Sequence, residues 1–255
     1  MLASVHVETV GRGPRVVLVH GSVGNGASTW SAQRPLAERF TLVIPDRPGS
    51  PPNPPVDRVD FEEQAPLVAE LLGDGAHLVG HSYGGVISLY AAGLRPEAVR
   101  SLTVIEPPTF GVARNDPEVD RLVDDLARLW SEDRPVDPAI FLSEFSSLVI
   151  GRPVPPEREL SPELEQGVRT LMVERPPVEA DPPLDALARA LFPKLVVSGA
   201  HSAAFDRVCD VLEQRLHAER AVLPGEAHNA QRAPGFNEKL VDFLARAGTD
   251  EADPA

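Results

Sequence analysis

The apolar residues of this chain gather into short continuous runs, separated by stretches in which they recur every three or four positions. Residues 5–10 alternate apolar and polar like an edge strand, and Gly11-Arg12-Gly13-Pro14 makes a turn. Residues 16–19 are then four consecutive aliphatics, the pattern of a strand covered on both faces. Residues 41–44, 76–79 and 101–105 are similar short runs, interrupted by Thr41, His77, Ser101 and Thr103, whereas 61–72 and 86–94 carry the spacing of helices. After residue 105 the alternation stops. The spacing between 107 and 193 predicts only helices, over 118–130, 139–150, 162–173 and 184–191, with prolines punctuating them. Strand and helix alternate again at 194–197, 205–216, 221–223 and 236–245. The expected class is α/β, with a mostly parallel central sheet flanked by helices. Its core would comprise residues 1–106 and 194–247, with a helical lid at 107–193 and a disordered tail at 248–255.

Composition narrows the partners. At 255 residues the chain can bury a substantial core, and no apolar run approaches the length of a membrane span. The first ten residues are too short and too mixed for a signal peptide, so a cytoplasmic location is expected. A net charge of −14 leaves no basic patch for nucleic acid or an anionic membrane surface. Cys209 is the only cysteine, which excludes an internal disulfide and a cysteine-built metal site. Its apolar neighbours suggest a buried helix position. No histidine and carboxylate cluster has ligand spacing, so no metal and no cofactor are expected.

The chemistry concentrates at Gly80-His81-Ser82-Tyr83-Gly84, between a buried strand and a helix. A serine flanked by glycines two residues before and two after reads as a nucleophile elbow. The backbone turns sharply there, close to its neighbours, and lifts the hydroxyl above the sheet. The helix behind it aims unpaired N–H groups and a positive dipole end at the serine, which favours an anion forming there. The glycine-rich run Gly21-Ser22-Val23-Gly24-Asn25-Gly26 lacks the lysine and spacing of a phosphate loop.

Four motifs follow one another in an informative order. His20-Gly21-Ser22-Val23 comes after the first buried strand, Asp46-Arg47-Pro48-Gly49 after the second and the elbow after the third. Leu223-Pro224-Gly225-Glu226-Ala227-His228 leads into the last helix through Pro234-Gly235-Phe236. On these motifs the chain resembles the α/β-hydrolase superfamily over nearly its whole length. It looks most like small single-domain esterase, lactonase and bromoperoxidase-like members with a helical cap. The resemblance implies Ser82 as nucleophile and His228, in the loop before the last helix, as the base. An imidazole titrates near neutral pH and can take the serine proton and return it to a leaving group. It also implies an oxyanion hole from the amides of Tyr83 and Ser22, with Val23 as the near alternative to Ser22.

The acid departs from the family pattern. Most relatives carry an aspartate a few residues past the strand at 194–197, where this chain reads Ser198-Gly199-Ala200-His201-Ser202. Ser202 cannot supply the negative charge that stabilises an imidazolium. Some relatives place the acid after the preceding strand, and Glu106 stands there, before Pro107-Pro108. A carboxylate at the end of an apolar strand is costly to bury without a partner. The expected triad is Ser82, His228 and Glu106, with Asp206 as the fallback acid. His6, His77 and His217 read as surface or strand positions, and His20 and His81 as packing residues beside the two loops. His201 is assigned no role.

Val23, Trp30, Phe110, Trp130, Phe141, Phe145 and Met172 are candidates to line an apolar substrate pocket, though each could instead pack the core. The expected activity is cofactor-independent hydrolysis of an ester, thioester or lactone of a small to medium hydrophobic molecule, through an acyl-enzyme. The vacant acid position at Ser202 keeps a catalytically silent ligand-binding protein as the alternative. Perhydrolase, lyase or carbon–carbon cleaving chemistry would use the same residues. The partner is a small molecule, and a homodimer is an open possibility.

Overall fold

Seven strands form one twisted sheet in a computed structural model that describes residues 5–131 and 135–247. The tail expected at 248–255 lies outside the described residues. The strands are β1 (Val7–Gly11), β2 (Arg15–Val19), β3 (Thr41–Pro45), β4 (Ala76–His81), β5 (Val99–Ile105), β6 (Lys194–Ser198) and β7 (Glu219–Val222). They lie in the order β1-β3-β2-β4-β5-β6-β7, with β1 antiparallel to β3 and every other pairing parallel. From β2 the chain steps outward to β3, then returns to lay β4 on the other side of β2. The order therefore reverses between β2 and β4, and the loops leaving their C-terminal ends splay apart into a crevice. His20-Gly21-Ser22 leaves one side of that crevice and Ser82 the other.

Register delivers a second residue. His81 stands opposite Ile105, so the next residues, Ser82 and Glu106, leave adjacent parallel strands at the same level. The side chains of the central strands alternate faces, as the pleat requires. Val17, Val19, Val43, Leu78, Leu102, Val104 and Val196 belong to the larger apolar cluster, under the helices that precede and follow β4. Val16, Leu18, Leu42, Ile44, Val79, Ile105, Leu195 and Val197 face the other way, with the last helix.

The helices are α1 (Gly26–Thr29), α2 (Phe61–Leu71), α3 (Tyr83–Leu94), α4 (Pro117–Leu129), α5 (Pro138–Ile150), α6 (Pro162–Leu171), α7 (Leu184–Arg189), α8 (Ala203–Leu216) and α9 (Phe236–Ala247). Among the described residues, α4 to α7 occupy the whole interval between β5 and β6 with no named strand. Three prolines of this interval start helices rather than break them. Asp116-Pro117, Asp137-Pro138 and Ser161-Pro162 each place a side-chain acceptor at the N-cap and proline at the first helical position, where its missing N–H costs nothing. The 3-10 segment Ser31–Glu38 and the short α1 have no counterpart in the hydrophobic pattern. Each is too short or too irregular to show a period, and Pro35 sits inside the former. No helix among the described residues is long and apolar enough to cross a membrane.

Trp30 corrects an expectation. It is wholly buried in the smaller cluster, on the α9 face of the sheet, and it does not border the cavity beside Ser82. The four-residue α1 turns the chain away from the crevice immediately before it. Trp30→Ala should lower the stability of the folded protein by about 3–5 kcal/mol in urea titrations, while leaving the KM of any substrate unchanged.

Candidate active site

Ser82 turns the chain from β4 into α3 at φ 52° and ψ −126°, a strained conformation for any side chain. The turn closes only because its flanks are bare. A Cβ at Gly80 would lie 2.4 Å from Ser88 Oγ, and one at Gly84 would lie 2.3 Å from the His20 carbonyl oxygen. Ser82 Oγ is then 2.9 Å from His228 Nε2, and His228 Nδ1 is 2.7 Å from Glu106 Oε2. The carbonyl of His228 is itself held by a hydrogen bond from His81 Nε2 at 2.9 Å. The structure thus brings Ser82, His228 and Glu106 into one hydrogen-bonded chain.

Glu106 is fully buried and occupies an unusual φ of 45°. Its Oε1 accepts the Gly199 amide at 2.7 Å, and Oε2 takes His228. Burial alone would raise this carboxyl. The imidazoles of His201 and His228, one beside each oxygen, outweigh it and hold the group at about 2. His201 was given no role by the sequence, yet its Nδ1 stands 3.2 Å from Oε1 and its Nε2 donates to the Val149 carbonyl at 2.9 Å. The signal for it was positional, since it lies in the turn where relatives carry their acid. Ser202 only begins α8, and Asp206 turns away to accept a hydrogen bond from Ser198 and face Arg220. Glu106, His201 and His228 are also close enough to share a metal ion by distance. Within the protein, both carboxylate oxygens already accept hydrogen bonds, Oε1 from Gly199 and Oε2 from His228.

Across the crevice, Tyr83 opens α3, so its amide is among the donors a helix leaves unpaired. The Ser22 amide donates to no other described group. Its loop is fastened from behind by Arg47, whose Nη1 donates to the Gly21 carbonyl at 2.8 Å and whose Nη2 pairs with Glu174 at 2.7 Å. The Arg47 amide donates to His20 Nε2, and Glu174 accepts the Ser22 hydroxyl. Burial holds the Glu174 carboxyl above its usual range despite the Arg47 guanidinium. The same guanidinium lies 4.6 Å over the Tyr83 ring, so both sides of the crevice lean on one side chain.

Residues 16–238 match the model of the Alpha/beta hydrolase family, most of the chain. The chain belongs to that family. It is 34% identical over 181 residues to the pimeloyl-[acyl-carrier protein] methyl ester esterase of Methylococcus capsulatus, covering 68% of this chain and 65% of that protein. Against the enzyme of the same name from Chromobacterium violaceum it is 35% identical over 40% of each chain. The match thus spans less than two-thirds of the length of these curated relatives. Among solved structures, an alpha/beta hydrolase from Sphaerobacter thermophilus superposes with a TM-score of 0.68 at 24% identity, covering 94% of this chain and 96% of that one.

In this alpha/beta hydrolase a cavity of about 250 Å³ opens beside Ser82. Of the residues expected to line it, Phe110, Trp130 and Phe145 do so, and Ser22 and Tyr83, expected as oxyanion donors, border it as well. Val23, Phe141 and Met172 do not. Val23 packs its carbonyl onto Gly167, Phe141 lies behind Trp130 with ring centroids 5.7 Å apart, and Met172 sits in the larger core cluster. The hydrophobic pattern missed Phe205, Val149 and Glu174, which border the cavity. They come from α8, from the end of α5 and from the segment after α6, which periodicity could not bring together.

Three histidines around this framework are buried and neutral. Desolvation lowers His20 and His81 to about 3 and His77 to about 4. Their folded values lie below the ordinary imidazole value, so the unfolded chain takes up protons that the native chain refuses. Their contribution is complete above that value and is lost as pH falls from about 6.5 toward 4. Urea unfolding followed across that window should show stability falling with a slope approaching the uptake of three protons, roughly 4 kcal/mol per pH unit at its steepest. A flat profile would mean that these rings are not neutral in the folded state.

Proposed function

We propose that the protein is a cofactor-independent serine hydrolase that cleaves an ester, thioester or lactone of a small to medium, uncharged acyl group. The observation that carries this reading is the unbroken chain Ser82–His228–Glu106 opening onto an apolar cavity. His228 Nε2 takes the proton of Ser82 Oγ as that oxygen attacks the carbonyl carbon, and the carbonyl oxygen becomes an oxyanion between the Ser22 and Tyr83 amides. The imidazolium then protonates the departing alcohol or thiol, leaving the acyl group on Ser82. Water enters, His228 removes its proton, and the acid product and free serine are restored. Glu106 stays ionised throughout and balances the transient positive charge on His228.

The cavity argues for the acyl group. Val123, Leu126, Trp130 and Phe145 offer it hydrocarbon, and its volume falls just below the usual range for ligand clefts, which suits a small acyl group. Relatives named as methyl ester esterases favour an oxygen ester. The case for a silent binding protein rests on Ser202. Glu106, at 2.7 Å from His228, supports the hydrolase reading over it.

Labelling with a fluorophosphonate probe should be rapid in the wild type and absent in Ser82→Ala. Glu106→Gln and His228→Ala should each cut ester turnover by about 10³–10⁴-fold, whereas Asp206→Asn should stay near wild type. Turnover surviving in Glu106→Gln but lost in Asp206→Asn would overturn the assignment. With p-nitrophenyl esters of graded chain length, Phe145→Ala should raise kcat/KM for the longer acyl groups by about tenfold and leave the acetate nearly unchanged.

A further inference from the structure

His201 has two contacts that a neutral imidazole cannot both sustain. To donate to the Val149 carbonyl, Nε2 must carry a hydrogen. A neutral ring would then present a bare nitrogen at Nδ1, 3.2 Å from the ionised Oε1 of Glu106, where two electron-rich atoms repel. With both nitrogens protonated, the ring attracts both partners. Nδ1 meets Oε1 obliquely, as a charge contact rather than an aligned hydrogen bond.

We propose that His201 is a positioning residue of the Ser82–His228–Glu106 triad, an imidazolium that ties the end of α5 to the buried acid. The proposal rests on the hydrolase reading above and extends it to how the triad and the cavity wall are kept in step.

Three elements packed around His201 favour a cation there. Glu106 faces it from the end of β5, and Val149 lies in the last turn of the thirteen-residue α5, where the helix dipole is negative. Asp206 adds a negative charge from α8. The remaining neighbours are aromatic, with Phe205 at 5.6 Å and His228 at 5.8 Å between ring centroids. Burial by itself would lower His201, but the Glu106 carboxylate and the Val149 carbonyl raise it above its ordinary value.

Two consequences follow for one ring. Val149 borders the cavity, so the contact at Nε2 fixes a piece of its wall relative to Ser82. The contact at Nδ1 shares the charge of Glu106 between two imidazoles. A cation beside Glu106 repels the positive charge that develops on His228. When the pH rises through the raised value of His201, its proton leaves. The neutral ring then keeps either Val149 or Glu106, and the wall and the triad part company.

The test uses the intact wild-type chain with ¹⁵N-labelled histidine, with His201 assigned by the signal lost in His201→Gln. Near pH 7 both its ring nitrogens should be protonated, and a singly protonated ring at that pH would overturn the proposal. In His201→Gln the acid limb of the kcat/KM profile should move upward by roughly 0.5–1 pH unit, because a nearby positive charge has been removed. KM for the longer p-nitrophenyl esters should rise several-fold more than kcat falls. A folded His201→Gln with lowered activity and an unmoved acid limb would mean that His201 merely packs the loop, which overturns the proposal. Failure of Ser82 to take the fluorophosphonate would instead defeat the hydrolase reading, leaving the ring-nitrogen result intact.

Discussion

A single buried carboxylate organises the catalytic end of this molecule. Glu106 sits where the sheet gives it no water, and an isolated charge in that place would be intolerable. It is accommodated because three groups from two other stretches of chain converge on it: the Gly199 amide and His201 from the turn between β6 and α8, and His228 from the loop after β7. Each contributes a donor or a positive charge. Removing any one would leave the others to balance a charge they do not fully neutralise, which is why a buried ion pair costs more when broken than it contributes when whole. The geometry at Ser82 is thus inherited from the electrostatic needs of a residue one strand away.

The backbone records the same concentration of demands. Val23, Ser82, Glu106, Ala200 and Ala227 all adopt positive φ without being glycine, and all five lie in the loops that rim the C-terminal edge of the sheet. Each such residue is held there by packing from a rigid strand on one side and a helix or neighbouring loop on the other. The regular core holds the rim in a shape that the rim would not choose for itself.

Much of this was legible in the sequence, for identifiable reasons. Buried parallel strands need continuous aliphatic runs, so β2 to β6 announced themselves, and the elbow needs glycines at fixed offsets. Glu106 was legible because a carboxylate closing an apolar strand demands an explanation. What stayed hidden depends on which distant segments meet. His201 looked idle because its partners, Glu106 and Val149, come from elements 95 and 52 residues earlier in the chain. Trp30 looked like a pocket residue because it follows the oxyanion loop, and only the direction of the short α1 sends it to the opposite face. Pro138 read as punctuation between helices, although at the first helical position the ring's fixed φ promotes a helix.

The Arg47–Glu174 pair carries an implication for how such a molecule can be altered. Arg47 belongs to the loop after β3, whereas Glu174 belongs to the segment inserted between β5 and β6, and together they brace Gly21 and Ser22. The insertion is therefore not an interchangeable module laid over a finished catalytic core. Grafting a foreign cap in its place would strand a buried guanidinium and slacken the oxyanion loop, however well the new cap's own pocket were built. In this framework selectivity and rate share a beam, and evolution or engineering can move one freely only by first replacing that support.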